Sequence, residues 1–306
     1  MEVLHPHYDK LIAAARHAGP VTVAVAHPCD RNALEGALDA ANLGLIKPIL
    51  VGPQARIRQA ADAAHLDISA LQLIDTEHSH ASAARAVQLV REGHASALMK
   101  GSLHTDELMG AVVSSATGLR TARRLSHCFV MDIPGRAEPL IITDAAVNIT
   151  PDLTDKVDIV QNAIDLAHVL RFDPVKVAIL AAVETVSAKM PSTIDAAALC
   201  KMADRGQITG ALIDGPLAMD NAIDPQAAAI KHLVSPVAGQ ANVLVAPDLE
   251  AGNMLAKSLT FMAGASAAGI VLGARVPVIL TSRADTVQAR LASCAVAVLV
   301  AHSRRS

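Results

Sequence analysis

Short runs of Val, Ile, Leu and Ala alternate along this chain with longer segments whose apolar residues recur three and four apart. Nearly continuous apolar runs suit strands covered on both faces, and the three-four spacing suits helices packed on a sheet. Strands are predicted over 21–26, 47–52, 71–75, 96–100, 127–133, 139–144, 176–182, 208–214, 242–247 and 276–281. Between them, helices are predicted over 32–44, 80–93, 155–170, 192–205 and 251–264. The alternation predicts an α/β fold with more strands than one small sheet holds. No fixed-period repeat or low-complexity linker marks a boundary, and "TDAAVNITPDLT" (143–154) is the best crossing point, because Pro151 and its polar neighbours separate a strand from a new helix.

In open parallel sheets, ligands bind beyond the carboxyl ends of the strands. Four loops there are unusually polar: Lys100-Gly-Ser-Leu-His104-Thr105, Asp214 to Asn221, Pro247 to Asn253 with Lys257 further on, and Thr281-Ser282-Arg283-Ala-Asp285. The last precedes Val287, Leu291, Cys294, Ala295 and Val298, spaced as the buried face of a helix that Asp285 or Thr286 is suited to cap. A helix start beside an arginine favours an anion, and phosphate is the simplest one.

Each feature also has a plain structural reading. Arg283 can pair with Asp285 while Ser282 turns the chain. Lys100 and Lys257 can be surface lysines, His104-Thr105-Asp106 a helix start, and Gly252-Asn253 a helix entrance. His78 and His80 in "EHSH" have no evident third ligand, and the separation of His27 from Cys29 sets no dyad geometry. No Walker loop is present, and no GxGxxG follows a strand.

Composition narrows the field. The 306 residues are 52% hydrophobic and 18% charged, ample for a globular core and long enough for two domains. A net charge of -3 with 1% aromatic residues argues against nucleic-acid binding. Four scattered cysteines, Cys29, Cys128, Cys200 and Cys294, suit a reducing compartment. No secretory signal or apolar run of the roughly 18 residues that a membrane span needs is seen, so the expected location is the cytoplasm.

The stretches "LMKGSLHTDELM", "GLRTARRLSH", "DGPLAMDNAI", "APDLEAGNMLAKSL" and "VILTSRADT" resemble, in order, the phosphate acetyltransferase and phosphate butyryltransferase family over roughly residues 95 to 300. The resemblance implies reversible transfer of a short acyl group between CoA and inorganic phosphate. Coenzyme A or acyl-CoA enters as substrate, with no tightly bound cofactor and no metal. It implies two three-layer α/β/α domains with an interdomain cleft, like isocitrate and isopropylmalate dehydrogenases, and a homodimer. The first domain would be residues 1–141 plus 270–306, and the second the inserted residues 142–269. Ser282 and Arg283 match the family's Ser-Arg pair: Arg283 would hold the phosphoryl group and Ser282 the developing oxyanion. Asp285 matches the butyryl-type aspartate, and is the candidate base.

Substrate-binding roles would fall to Lys100, His104, Thr105, Arg120, Asp220, Asn221, Gly252, Asn253 and Lys257. The acetyl-type catalytic aspartate corresponds to Ala289, and an arginine of many members to Gly110. The text around "TSRADT" looks closer to the butyryl side. Two other readings stay open, a non-catalytic acyl-CoA-binding regulator of the same fold and a metal- and NAD-dependent decarboxylating dehydrogenase.

Overall fold

The computed structural model describes residues 5–281 and 285–304. In chain order the first elements are α1 (Pro6–Ala18), β1 (Val21–Ala26), α2 (Arg31–Asn42), β2 (Ile46–Val51), α3 (Gln54–Ala63), β3 (Gln72–Ile74), α4 (Ser79–Arg91), β4 (Ala97–Lys100) and α5 (Thr105–Val113). There follow β5 (Ser126–Asp132), β6 (Leu140–Thr143), α6 (Leu153–Val169), β7 (Lys176–Leu180), α7 (Pro191–Asp204), β8 (Leu212–Leu217), α8 (Met219–Ile223), α9 (Pro225–Ile230), β9 (Val243–Val245) and α10 (Leu249–Met262). The last are β10 (Ser266–Leu272), β11 (Val278–Ile279) and α11 (Val287–Ser303).

The chain divides into two compact units, Tyr8–Arg123 with Ala268–Ser306, and Met1–His7 with Arg124–Ala267. The expected boundary at 141/142 differs from the one observed at 123/124, because β5 pairs with β6, which in turn pairs with β9. The hydrogen-bond ladder thus draws 126–143 into the unit of residues 124–267.

In the unit of Tyr8–Arg123 with Ala268–Ser306, the strand order is β3-β2-β1-β4-β11, with β10 beside β11. All pairs are parallel except β10–β11. Asp30 caps α2 by accepting from the Ala33 N–H at 2.8 Å. The α2 stripe Leu34, Ala37 and Ala40 is buried. Helix α11 packs on α2, β4 and β11 and is buried nearly all round, which its Ala-rich sequence permits.

The other unit has the order β5-β6-β9-β7-β8, parallel except for β5–β6. Met131, Leu140, Ile142, Leu180, Leu217 and Leu244 belong to its core. Lys156 is buried on α6 and meets Asp195 at 2.6 Å.

The mixed α/β fold is as expected, and two strands depart from the expectation. The strand expected at 208–214 runs instead from 212 to 217, because Gly210 turns at φ 89°. It then continues through Pro216, which an edge strand tolerates since that position has no N–H to place in a ladder. β10 was not foreseen, since "SAAGIVL", just past the preceding helix, begins with small residues of low strand propensity. That helix stops where Gly264 turns at φ 67°.

Candidate active site

Strands β4 and β11 lie side by side, with Leu98 opposite Val278 and Met99 opposite Ile279. This register sends Lys100 and the Leu280–Thr281 stretch off the same sheet end as neighbours. Ser282 and Arg283, the central residues of the sequence reading, lie outside the described residues.

The turn after β4 is tightly held. The Gly101 N–H donates to Ala26 O at 2.9 Å, the Ser102 N–H to His27 O at 2.9 Å, and the Ser102 hydroxyl to His27 O at 2.7 Å. Ser102 Oγ also accepts from the Cys29 N–H at 3.0 Å. Gly101 is obligatory on steric grounds, because a Cβ there would overlap Ala26 O and come within 2.6 Å of His27 O. Lys100 is half-buried and its Nζ donates to Leu103 O at 3.2 Å and Gly101 O at 3.3 Å.

His104 and Thr105 are exposed at the start of α5. The His104 N–H donates to Glu107 Oε2 at 2.8 Å, and His80 Nδ1 lies 3.1 Å from Glu107 Oε1. The Ser79 hydroxyl, followed by the His104 N–H, holds the Glu107 carboxyl below its ordinary range. His104 thus stands at the helix start, with its backbone N–H engaged. Arg120 is exposed and its backbone bridges to Ala274. Gly110 is exposed on α5 with open space around its Cβ position.

Capping of α11 falls to Thr286, whose hydroxyl accepts from the Ala289 N–H at 3.1 Å, and not to Asp285. Asp285 is half-buried, and its backbone oxygen accepts from Arg290 Nη1 at 2.8 Å. Arg290 was passed over in the sequence reading, although an arginine inside an otherwise apolar helical stretch is a usable signal. It lines a cavity of about 20 Å³ with Asp30, Asn32, Met99, Lys100 and Thr281.

The two histidine motifs have local duties. His27, at φ 55°, is buried, and its Nδ1 hydrogen-bonds with Ser82 Oγ at 2.9 Å. Burial, then the Arg56 charge, lowers its pKa, while burial raises that of Cys29, the reverse of an activated thiol. His78 caps α4, its Nδ1 accepting from the Ala81 N–H at 3.2 Å. Among the described residues no group of three or more His, Cys, Asp or Glu side chains could hold a metal ion.

In the other unit, the parallel strands β6, β9, β7 and β8 present their carboxyl-end loops together. Asp248 caps α10, accepting from the Ala251 N–H at 2.8 Å. Gly252 packs where a Cβ would overlap Asp144 O, and Asn253 Nδ2 donates to Ala145 O at 3.0 Å. Both residues thus fasten α10 to the loop after β6. Asp144 is buried and accepts from the N–H groups of Ala146, Val147 and Asn148 at 2.9, 3.0 and 3.2 Å. Asn221 is fully buried and its Nδ2 donates to Glu184, which also pairs with Lys231 at 3.3 Å. Glu184 carried no motif and was not foreseen. Asp220 and Lys257 are exposed.

This architecture matches a crystal structure of a branched-chain phosphotransacylase from Enterococcus faecalis V583, at TM-score 0.81 and 30% identity over 92% of this chain and 99% of that one. Fold and strand-end loops together define an α/β protein of the phosphotransacylase type. The phosphate acetyl/butaryl transferase profile matches residues 79–298, and the chain belongs to that family of acyltransferases. It is 64% identical to the phosphate acetyltransferase of Rhizobium meliloti over 98% of this chain and 95% of that protein. It is also 40% identical to the phosphate butyryltransferase of Clostridium beijerinckii, over 96% and 97%.

Proposed function

We propose that this protein transfers an acetyl group, in preference to longer chains, reversibly between coenzyme A and inorganic phosphate. The observation that carries the reading is the parallel β4–β11 pairing, which sets Lys100 beside Leu280 and Thr281, directly before Ser282 in the chain. The acetyl preference rests on the 64% identity to an acetyltransferase against 40% to a butyryltransferase.

In the direction of acyl-CoA synthesis, the CoA sulfur attacks the acyl-phosphate carbonyl. A C–S bond forms, the carbonyl oxygen takes up negative charge, and the bond from carbon to the bridging phosphate oxygen then breaks. A free thiol ionises near pH 8.5, so a base or a nearby cation aids the attack. Asp285 takes the thiol proton, Ser282 donates to the oxyanion, and Arg283 holds the leaving phosphate with its planar fork. Lys100 adds positive charge at the same sheet end. His104, Thr105 and Arg120 contribute binding from the exposed rim of that unit. On the other unit Asp220 and Lys257 are the exposed polar candidates for substrate binding, and Asn221, Gly252 and Asn253 shape the loops that carry them.

The same reading makes the protein a cytoplasmic homodimer. Four free cysteines and, among the described residues, no helix long and apolar enough to cross a membrane agree with that location. The exposed Met254, Phe261 and Met262 on α10 give a second copy apolar surface to cover.

The test is thiol release from acetyl-CoA and butyryl-CoA with and without phosphate. Phosphate-dependent release, faster with acetyl-CoA, is expected. CoA binding with no phosphate-dependent thiol from any short acyl-CoA would overturn the reading. Arg283→Ala should raise the phosphate KM and lower kcat, and Asp285→Asn should lower kcat at an unchanged melting temperature. Loss of Tm with normal kinetics in Asp285→Asn would make that residue structural.

A further inference from the structure

Arg290 is a cation in a place built for apolar side chains. It is 7% exposed on α11, with buried Ala289, Leu291 and Cys294 around it. Gly36 of α2 makes the room it occupies: a Cβ at Gly36 would lie 3.1 Å from Arg290 Cδ and 3.3 Å from its Nε. Nη1 is used on Asp285 O, but Nε is buried without an acceptor among the described residues. No carboxylate forms an ion pair with this guanidinium among the described residues. A buried guanidinium with neither counter-ion nor full hydrogen bonding is costly, so such a group normally awaits a partner.

The small cavity that Arg290 lines shows what that partner is. Lys100 and Arg290 face it with positive charge, and Asp30 is the one acidic residue among the described residues of its wall. Asp30 already spends Oδ1 on the Ala33 N–H. Two cations against one carboxylate leave the lining cationic, and Thr281 and Asn32 add polar side chains. The start of α2 lies at the same wall and favours an anion as well.

We propose that Arg290 and Lys100 form an oxyanion site that takes a phosphate oxygen, with Arg290 supplying the second guanidinium contact for the transferred phosphoryl group. This rests on the acyl-transfer reading and deepens it. The arginine that many family members carry at the position of Gly110 is replaced by a side chain from α11 that also holds Asp285 O. The cavity has room for one corner of a tetrahedral anion. Arg290 also ties that loop through Asp285 O, so a bound phosphate oxygen and the placement of Asp285 are coupled through one guanidinium.

The experiment compares the wild-type protein with Arg290→Gln, Arg290→Lys and Lys100→Gln. Binding of inorganic phosphate is measured by calorimetry, and KM is measured separately for phosphate and for acetyl-CoA. Arg290→Gln should raise the phosphate Kd and KM about 10- to 100-fold, as loss of a hydrogen bond to a charged group does. The acetyl-CoA KM should change less than about twofold in the same variant. Arg290→Lys, which keeps the charge but not the fork, should fall between, and Lys100→Gln should weaken phosphate binding and lower turnover with it. A wild-type phosphate Kd in Arg290→Gln, or in both Arg290→Lys and Lys100→Gln should Arg290→Gln not fold, overturns the site. Equal rises in both KM values with unchanged phosphate binding make Arg290 a loop tie only and overturn it too. Failure of the two readings is distinguishable. Arg290-dependent phosphate binding without thiol release sinks the transferase and keeps the site, whereas thiol release with Arg290-independent phosphate binding does the reverse.

Discussion

Replacing Gly101 by alanine tests the geometry on which the site depends. Its backbone needs no glycine-only dihedral angle, so the effect is purely steric. The added methyl would overlap Ala26 O and lie 2.6 and 2.7 Å from O and C of His27. A carbon needs about 3.3 Å from an oxygen even in a close C–H···O contact, so the β4 turn must retreat from β1 by roughly 0.7 Å or more. Four hydrogen bonds span that gap: Gly101 N–H to Ala26 O, Ser102 N–H and Oγ–H to His27 O, and Cys29 N–H to Ser102 Oγ. If half of them are lost at about 1 kcal/mol each, and overpacking adds about 1–3 kcal/mol, the substitution costs about 3–5 kcal/mol. Calorimetry should then show a fall in Tm on the order of 10 °C. Because Lys100 and Gly101 both line the Arg290 cavity, the phosphate KM should rise in whatever protein stays folded. A variant that melts within about 2 °C of wild type and keeps its phosphate KM would refute the claim that this turn is rigidly seated against β1.

Gly252→Ala should destabilise the other unit by a comparable about 2–4 kcal/mol in urea unfolding, since its Cβ overlaps Asp144 O and presses on Ala145 Cα at 3.2 Å. His127 is buried, with burial holding its pKa down at about 4 against an ordinary 6.5 and Asp144 opposing only in part. Its neutral form is the one the fold accepts. Stability is therefore complete above pH 6.5, falls as pH drops from 6.5 toward 4, and levels off below. Urea midpoints should show a loss of about 2 kcal/mol between pH 7 and pH 5 that His127→Gln abolishes. Lys156→Met should cost about 1–3 kcal/mol by stranding Asp195, and Lys156→Met/Asp195→Leu should recover most of it in the same unfolding assay. Wild-type stability in the single variant would show that the pair contributes nothing.

How much of this was legible beforehand differs from element to element. β1 was placed residue for residue, because "VTVAVA" is apolar except for Thr22 and bounded by Pro20 and by His27-Pro28. β8 was displaced because its ladder accepts Pro216 only by virtue of being an edge, and no local pattern announces an edge. The strand-end loops were legible as polar text following apolar text. Their assignment to a family was legible because long motifs such as "APDLEAGNMLAKSL" keep their order.

Local chemistry in the chain was enough to establish the α/β alternation, the loops that carry polar groups and the family, since side-chain pattern and motif order are one-dimensional properties. It left open which loops are neighbours, which polar residues are engaged in packing, and which charge is buried. His104 at a helix start, Gly252 against Asp144 and Arg290 over Gly36 became distinguishable only when strands paired and helices docked. Those contacts join residues far apart in the chain, and burial, which gives a charge or a glycine its meaning, is a property of that packing.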